Sequence, residues 1–351
     1  MQIILHICKI FCTFAAAKVL DMRIAFTTEL PAEGFRRLVE RGWELIPFSA
    51  EAAPSASTEG RSGQDADILV STFDAKVSRE MIEGMPHLKL IANFGAGYNN
   101  IDLEACKERG IRVTNTPQPV IEPTAELAFA LMMAVARRIV EFDGAVRGYG
   151  LRVTGEPLFG VMRNLSHSLY GKTLGILGMG RIGQALARRA KASGMRIIYH
   201  NRHQINDDAL KALNGGNDKM VRYVDFQTLL QDSDFLSLNL PYTPEVHHII
   251  GKPELGMMKR TAYLINTARG AHVDEAALVE ALQNGIIAGA ALDVYEFEPA
   301  VSPELLKLPN VVLSPHTGTG TWEGRIAMCE NVTDNIIAFE QNDIQGMNIV
   351  L

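Results

Sequence analysis

From residue 23 onward, short apolar runs alternate with longer stretches whose apolar positions recur every three or four residues. Arg23–Phe26, Trp43–Pro47, Ile68–Val70, Leu88–Ala92 and Ile111–Thr114 read as strands. Pro31–Arg41 reads as an amphipathic helix with Phe35, Leu38 and Val39 on one side, and Glu51–Asp65 as a loop or weak helix. Strands alternating with helices predict a parallel sheet with helices on its faces. Pro117-Gln118-Pro119 is a stiff break, expected to be a hinge, after which Pro123 suits the first position of a helix. That helix, Thr124–Gly144, is apolar nearly all round, which predicts burial in a core or at an oligomer interface. Gly148–Ser168 reads as an irregular surface excursion.

A second series of strands follows. Thr173–Leu177 is a short buried-type run that leads into Gly178-Met179-Gly180-Arg181-Ile182-Gly183. A helix to about Ser193 and a strand at Met195–Tyr199 complete the unit. This is G-x-G-x-x-G between a strand and a helix. Gly178 permits the tight turn, Gly180 lets the backbone approach a pyrophosphate, and Gly183 permits close helix–strand packing. The free N–H groups of the helix start then hold the phosphates. Further strands are predicted at Phe235–Leu240, Ala262–Asn266, Ala288–Val294 and Val311–Leu313. The fold class expected is α/β, with two successive doubly wound parallel-sheet regions.

A length of 351 residues suits about two domains. A net charge of −6 argues against a nucleic-acid or anionic-membrane surface. Cys8, Cys12, Cys106 and Cys329 form neither a disulfide framework nor a zinc spacing, so a reducing cytoplasm and no metal site are expected. Residues 1–21 are apolar but lack a basic start. They are expected to be a non-native or disordered extension, with Met22 as the natural start; an export or anchoring segment is the alternative.

In open α/β sheets, ligands bind outside the carboxyl ends of strands. Three polar residues fall at such ends. Arg269 suits a two-pronged grip on a carboxylate, and a structural ion pair is its bland alternative. His316 suits proton transfer near neutral pH. Glu298 suits a carboxylate that favours the protonated form of such a histidine. Their joint placement after three successive strands makes chance a poor explanation.

At this point the sequence resembles the D-isomer-specific 2-hydroxyacid dehydrogenases over nearly all of Met22–Leu351. The resemblance rests on NFGAGYNNID (93–102), GILGMGRIG (175–183), LPYTPE (240–245), LINTARGAHVDEAAL (264–278), ALDVYEFEP (291–299) and SPHTGT (314–319). It implies two Rossmann-like domains with a cleft between them. Residues 22–118 plus 317–351 would bind substrate, and 119–316 would bind NAD(P). Arg269 would hold the substrate carboxylate and polarise its keto oxygen, His316 would be the acid/base, and Glu298 would keep His316 protonated. Gly95, Ala96 and Gly97 would offer backbone N–H groups to the carboxylate. Arg181 and Ile182 would contact the pyrophosphate, Thr267, Ala268 and Asp293 would line the nicotinamide side, and Pro241 the adenosine side. The resemblance also implies a homodimer formed through the cofactor domain.

The second strand of the glycine unit ends Tyr199-His200-Asn201-Arg202-His203, with no acidic residue to bind ribose hydroxyls. Asn201 does not repel a 2′-phosphate and Arg202 suits one, so NADP(H) is favoured, with NAD(H) as the alternative. The substrate expected is a small 2-keto acid of the glyoxylate or hydroxypyruvate kind, reduced to the D-2-hydroxy acid. Phosphoglycerate with Lys76, Arg79 and Arg163 as phosphate ligands, or a dinucleotide-sensing regulator with little turnover, are the alternatives. Phe73, Phe94 and Tyr98 are candidates to shape the pocket.

Overall fold

The structure, a computed structural model, describes residues 22–47, 63–148, 160–215 and 221–351. The expectations for residues 1–21, for most of Glu51–Asp65, and for the part of Gly148–Ser168 before Gly160 lie outside the described residues. The chain divides into two compact units, Gln118–Gly324 and a smaller one made of the chain up to Pro117 plus Arg325–Leu351. The C-terminal division thus falls eight residues beyond position 316. It lies inside one helix, Trp322–Glu340, whose continuous pattern carries no break to mark it.

In the smaller unit, β1 (Arg23–Phe26), β2 (Glu44–Pro47), β3 (Ile68–Thr72), β4 (Leu90–Phe94) and β5 (Arg112–Thr114) form a parallel sheet in the order β2-β1-β3-β4-β5. β3 and β4 are buried at every position, as strands covered on both faces must be. The expected helix Pro31–Arg41 is a 3-10 turn, Ala32–Phe35, followed by Arg36–Glu40. Phe35 and Leu38 are buried, whereas Val39 faces outward. The C-terminal piece completes this unit. Val350 N–H donates to the Val113 carbonyl at 2.8 Å, and the Thr333 hydroxyl to the Gly34 carbonyl at 2.8 Å.

In the larger unit, β6 (Thr173–Leu177), β7 (Arg196–His200), β8 (Val221–Tyr223), β9 (Phe235–Leu238), β10 (Tyr263–Asn266), β11 (Gly289–Leu292) and β12 (Val311–Leu313) are all parallel, in the order β12-β11-β10-β9-β6-β7-β8. Strand order reverses between β6 and β9, which places a crevice at their carboxyl ends. Separate apolar clusters pack the two faces: Leu131, Met132, Leu174, Ile176 and Leu186 on one, and Leu229, Leu236, Leu264, Leu278 and Leu282 on the other.

The single helix expected over Thr124–Gly144 is two helices, Ile121–Ala136 and Ile139–Arg147, and Pro123 is the third residue of the first. The break is at Arg138, which takes a left-handed conformation (φ 54°). Its guanidinium holds Glu141 and the Leu165 carbonyl and lies 4.6 Å from the Phe142 ring centre. The first helix is ordinary core: Ala125, Ala128, Leu131, Met132 and Val135 are buried in its own unit. Among the described residues, no helix is long and apolar enough to cross a membrane.

Candidate active site

The glycine turn lies in the crevice between β6 and β9. Gly178 has φ +99°, and a Cβ there would come within 2.7 Å of the Asn239 and Leu240 backbone, so only glycine fits. By contrast, a Cβ on Gly180 would point into open space, the side from which a phosphate reaches the backbone. Arg181 begins the helix Arg181–Ala192, where the first-turn N–H groups of Arg181 and Ile182 have no intrahelical acceptors. At the neighbouring strand ends, the Asn239 Oδ1 and Thr267 Oγ1 are buried without a hydrogen-bond partner. Open space at Gly180, first-turn donors and two orphaned polar atoms are what a bound dinucleotide would complete.

At the end of β7 stands Asn201, a candidate cofactor contact, which the glycine turn engages. Its Oδ1 accepts the Met179 N–H at 2.6 Å, and its carbonyl accepts the Tyr223 hydroxyl at 3.2 Å. Asn201 therefore shapes the glycine turn, and its side-chain amide is what remains for a ligand. Arg202 is exposed, and among the described residues it makes no hydrogen bond or ion pair. Pro241, on the opposite wall of the crevice after β9, is exposed.

Arg269, Glu298 and His316 follow β10, β11 and β12 and lie together. The His316 Nδ1 is 2.7 Å from the Glu298 Oε2. The other carboxylate oxygen, Oε1, accepts the Tyr295 N–H at 2.8 Å. Burial pushes the Glu298 carboxyl up, but the His316 bond, the Tyr295 N–H and the positive charges of His316 and Arg269 outweigh it and hold it below the usual carboxylate range. Burial lowers the Arg269 guanidinium from its ordinary value, with Glu298 opposing. Arg269 stays charged all the same, because a guanidinium is not deprotonated in proteins.

Neighbouring groups fix each member. The Asn266 amide brackets the turn before Arg269: its Oδ1 accepts the Ala268 N–H at 3.0 Å, and its Nδ2 donates to the Arg269 carbonyl at 2.9 Å. Gly270 packs so tightly on the next loop that a Cβ would overlap the Tyr295 carbonyl, 1.9 Å away. This close approach couples the Arg269 turn to the Glu298 loop. The buried Asp293 accepts from the Ser314 hydroxyl (2.6 Å) and the N–H groups of Thr317 and Gly318 (both 2.8 Å). Its carbonyl accepts the His316 N–H at 2.8 Å. Asp293 is thus the clamp of the His316 loop. His316 itself has φ +53°, a conformation that non-glycine residues adopt at a cost and that this clamp sustains.

Several supporting residues carry no local sequence signal. The His248 Nε2 lies 2.6 Å from the Glu296 Oε1, across 48 residues, and Glu296 Oε2 accepts the Glu275 N–H at 3.2 Å. These contacts anchor the Glu298 loop. His272 is fully buried, and neither ring nitrogen makes a hydrogen bond of good geometry; burial, aided by the Arg269 charge and opposed by weak approaches of the Pro241 and Arg269 backbone, pushes it down to about 4. It therefore adds no second positive charge beside Arg269 at neutral pH.

In the smaller unit, the Asn93 Nδ2 donates to the Gly95 and Gly97 carbonyls at 3.1 and 2.8 Å, and the Asn115 Nδ2 to the Ala96 carbonyl at 2.9 Å. Three carbonyls are held away, so the loop turns its N–H groups outward. The expectation that all three residues offer an N–H needs correction, because the Gly95 N–H is taken by the Asn93 carbonyl at 3.1 Å. Ala96 and Gly97 keep theirs. Phe94 is buried, whereas Phe73 and Tyr98 are 42% and 37% exposed, so of the three aromatic candidates Phe94 is the core residue.

The family model described as D-isomer specific 2-hydroxyacid dehydrogenase, NAD binding domain, matches residues 129–318. A glyoxylate reductase of Thermococcus litoralis is 46% identical over 322 residues, covering 92% of this chain and 95% of its own. Among solved structures, a glyoxylate reductase from Paecilomyces thermophila is 36% identical, with a TM-score of 0.77 over 95% of this chain and 99% of its own. An NADPH-dependent glyoxylate/hydroxypyruvate reductase from Sinorhizobium meliloti, solved with NADP and malonate, is 33% identical, with a TM-score of 0.76 over 91% and 93%. Matching motifs, fold and extent together place this chain in the D-isomer-specific 2-hydroxyacid dehydrogenase family.

Proposed function

We propose that the chain is a reductase of small 2-keto acids of the glyoxylate and hydroxypyruvate kind, forming the D-2-hydroxy acid with NADPH as the preferred reductant. The observation that carries this is the Glu298–His316 pair, 2.7 Å apart, beside a charged Arg269. When bound, the reduced nicotinamide supplies the hydride that adds to the keto carbon. Arg269 grips the substrate carboxylate and polarises the keto oxygen. In the smaller unit, the Ala96 and Gly97 N–H groups are the proposed donors to a substrate carboxylate. As charge builds on the keto oxygen, His316 donates its proton there, leaving a hydroxyl and a neutral imidazole. Glu298 engages Nδ1, so the transferred proton leaves from Nε2. Thr267 and Ala268 line the nicotinamide side, and Arg181, Ile182 and the glycines hold the pyrophosphate.

A phosphorylated substrate is the weaker reading, because Arg79 is already committed to Glu108 at 2.6 Å. A matrix of NADH or NADPH against glyoxylate, hydroxypyruvate, pyruvate and phosphohydroxypyruvate, read by nicotinamide absorbance, tests the assignment. Fast turnover with NADPH and either of the first two acids is expected. Tight dinucleotide binding without turnover of any acid would instead favour the regulator.

NADPH preference rests on Arg202, whose exposed guanidinium follows an Asn201 already engaged by the turn. Arg202→Ala is expected to raise the KM for NADPH about 10-fold or more, the worth of a charge-assisted contact, and to move the KM for NADH far less. Equal effects on both cofactors would remove Arg202 from the 2′-phosphate site.

Homodimerisation finds its support beyond the buried Ile121–Ala136 helix. Ile139, Val140, Val146, Val161, Met162, Leu165 and Tyr170 are all more than half exposed, an apolar density that suits a second copy. A dimer is expected in sedimentation, and Val140→Glu with Met162→Glu should shift it towards monomer; a monomeric parent protein would end this reading. We place the enzyme in the cytoplasm, where its buried thiols Cys106 and Cys329 stay reduced.

A further inference from the structure

Arg325 is a half-buried guanidinium of the smaller unit. Its Cζ lies 5.5 Å from the centre of the Phe94 ring. Phe94 ends β4 and directly precedes Gly95-Ala96-Gly97, so this cation stands beside the loop whose Ala96 and Gly97 N–H groups are the proposed donors to the substrate carboxylate. Among the described residues it makes no hydrogen bond and no ion pair. Burial lowers the guanidinium from its ordinary value, with Cys329 and Asp74 opposing only as charges at a distance. The position is also a poor one for the helix, because Arg325 lies in the first turn of Trp322–Glu340, where a cation opposes the helix dipole. Charge here serves neither an ion pair nor the helix. A guanidinium that is partly removed from water without a partner is costly, and its cost is offset when a ligand oxygen arrives. The ring of Phe94 holds the guanidinium plane in place meanwhile.

We infer that Arg325 is a specificity residue that binds the oxygen substituent at C3 of the substrate, favouring hydroxypyruvate over pyruvate, whose C3 is a plain methyl, and over glyoxylate, which has no C3. This rests on the reductase reading above and names which acid that site prefers. A site built to donate to a substrate oxygen discriminates strongly against analogues that lack it, because its donors are then left unmatched.

The test is steady-state reduction of hydroxypyruvate, glyoxylate and pyruvate by Arg325→Met and Arg325→Lys with saturating NADPH. For Arg325→Met, kcat/KM for hydroxypyruvate is expected to fall about 10- to 100-fold, mostly through KM, as for the loss of a hydrogen bond to a charged group. The values for glyoxylate and pyruvate are expected to fall about 3-fold or less. Arg325→Lys keeps the charge but loses the planar fork, so its hydroxypyruvate-to-glyoxylate ratio is expected to lie between parent and Arg325→Met. Equal losses on all three acids would overturn the inference in favour of a structural role, as would an unchanged ratio in both variants. If Arg325→Met does not fold, the ratio in Arg325→Lys decides. A parent enzyme that reduces none of the acids would mean that the reductase reading itself has failed, and the inference with it.

Discussion

His316→Asn lowers kcat for 2-keto acid reduction by about 10²- to 10⁴-fold, the usual worth of a positioned general acid. Asparagine keeps a polar group of similar reach but has no titrating proton to give. KM for the acid and the dissociation constant for the dinucleotide should change little, because the clamp on this loop is made by Asp293 with backbone N–H groups. The pH profile sharpens the test. Reduction consumes a proton that His316 supplies, so the parent rate is expected to fall as pH rises. That fall should vanish in His316→Asn. Glu298→Gln should lower the rate at neutral pH, because the imidazolium loses the carboxylate 2.7 Å away. The sign follows from Glu298 itself: its carboxyl is held below the usual range, so it is ionised throughout neutral pH and stabilises the positive partner. A parent-like rate in His316→Asn would remove His316 from the chemistry.

Arg269→Lys is expected to cost on the order of 100-fold in kcat/KM, and Arg269→Ala on the order of 1000-fold or more, as for truncating one partner of a buried charge pair. Both KM and kcat suffer, because one guanidinium serves the carboxylate in the ground state and the keto oxygen in the transition state. Lysine keeps the charge but loses the fork. Guanidinium ion in the buffer should restore part of the Arg269→Ala activity but none of that lost in His316→Asn. Unchanged affinity and rate in Arg269→Lys would refute the assigned grip.

The strands and glycine turn were legible because their signals are local. A parallel strand buried on both faces reads as a near-continuous apolar run, and Gly178 meets neighbouring backbone that tolerates no side chain. Arg269, Glu298 and His316 were legible for a related reason: strand ends are where such sheets bind ligands. What escaped depends on partners far along the chain. The break at Arg138 needs the Leu165 carbonyl, the Glu298 loop needs His248 with Glu296, and the Gly95 N–H is consumed by a turn that alternation in sequence does not reveal. The bond from the Met179 N–H to the Asn201 oxygen was likewise not visible in sequence. Arg325 passed unnoticed because a lone arginine in a helix pattern reads as a solvated face.

The smaller unit is assembled from two pieces of chain, with the 207 residues of Gln118–Gly324 between them. On the ribosome this becomes a matter of timing. At ordinary elongation rates the interval between the two pieces is about 10 to 40 s. All seven strands of the larger sheet emerge within that interval, while Val113 and the Gly34 carbonyl still await Val350 and Thr333. The nascent chain thus holds its dinucleotide crevice before the smaller unit has received its closing segment, Arg325–Leu351.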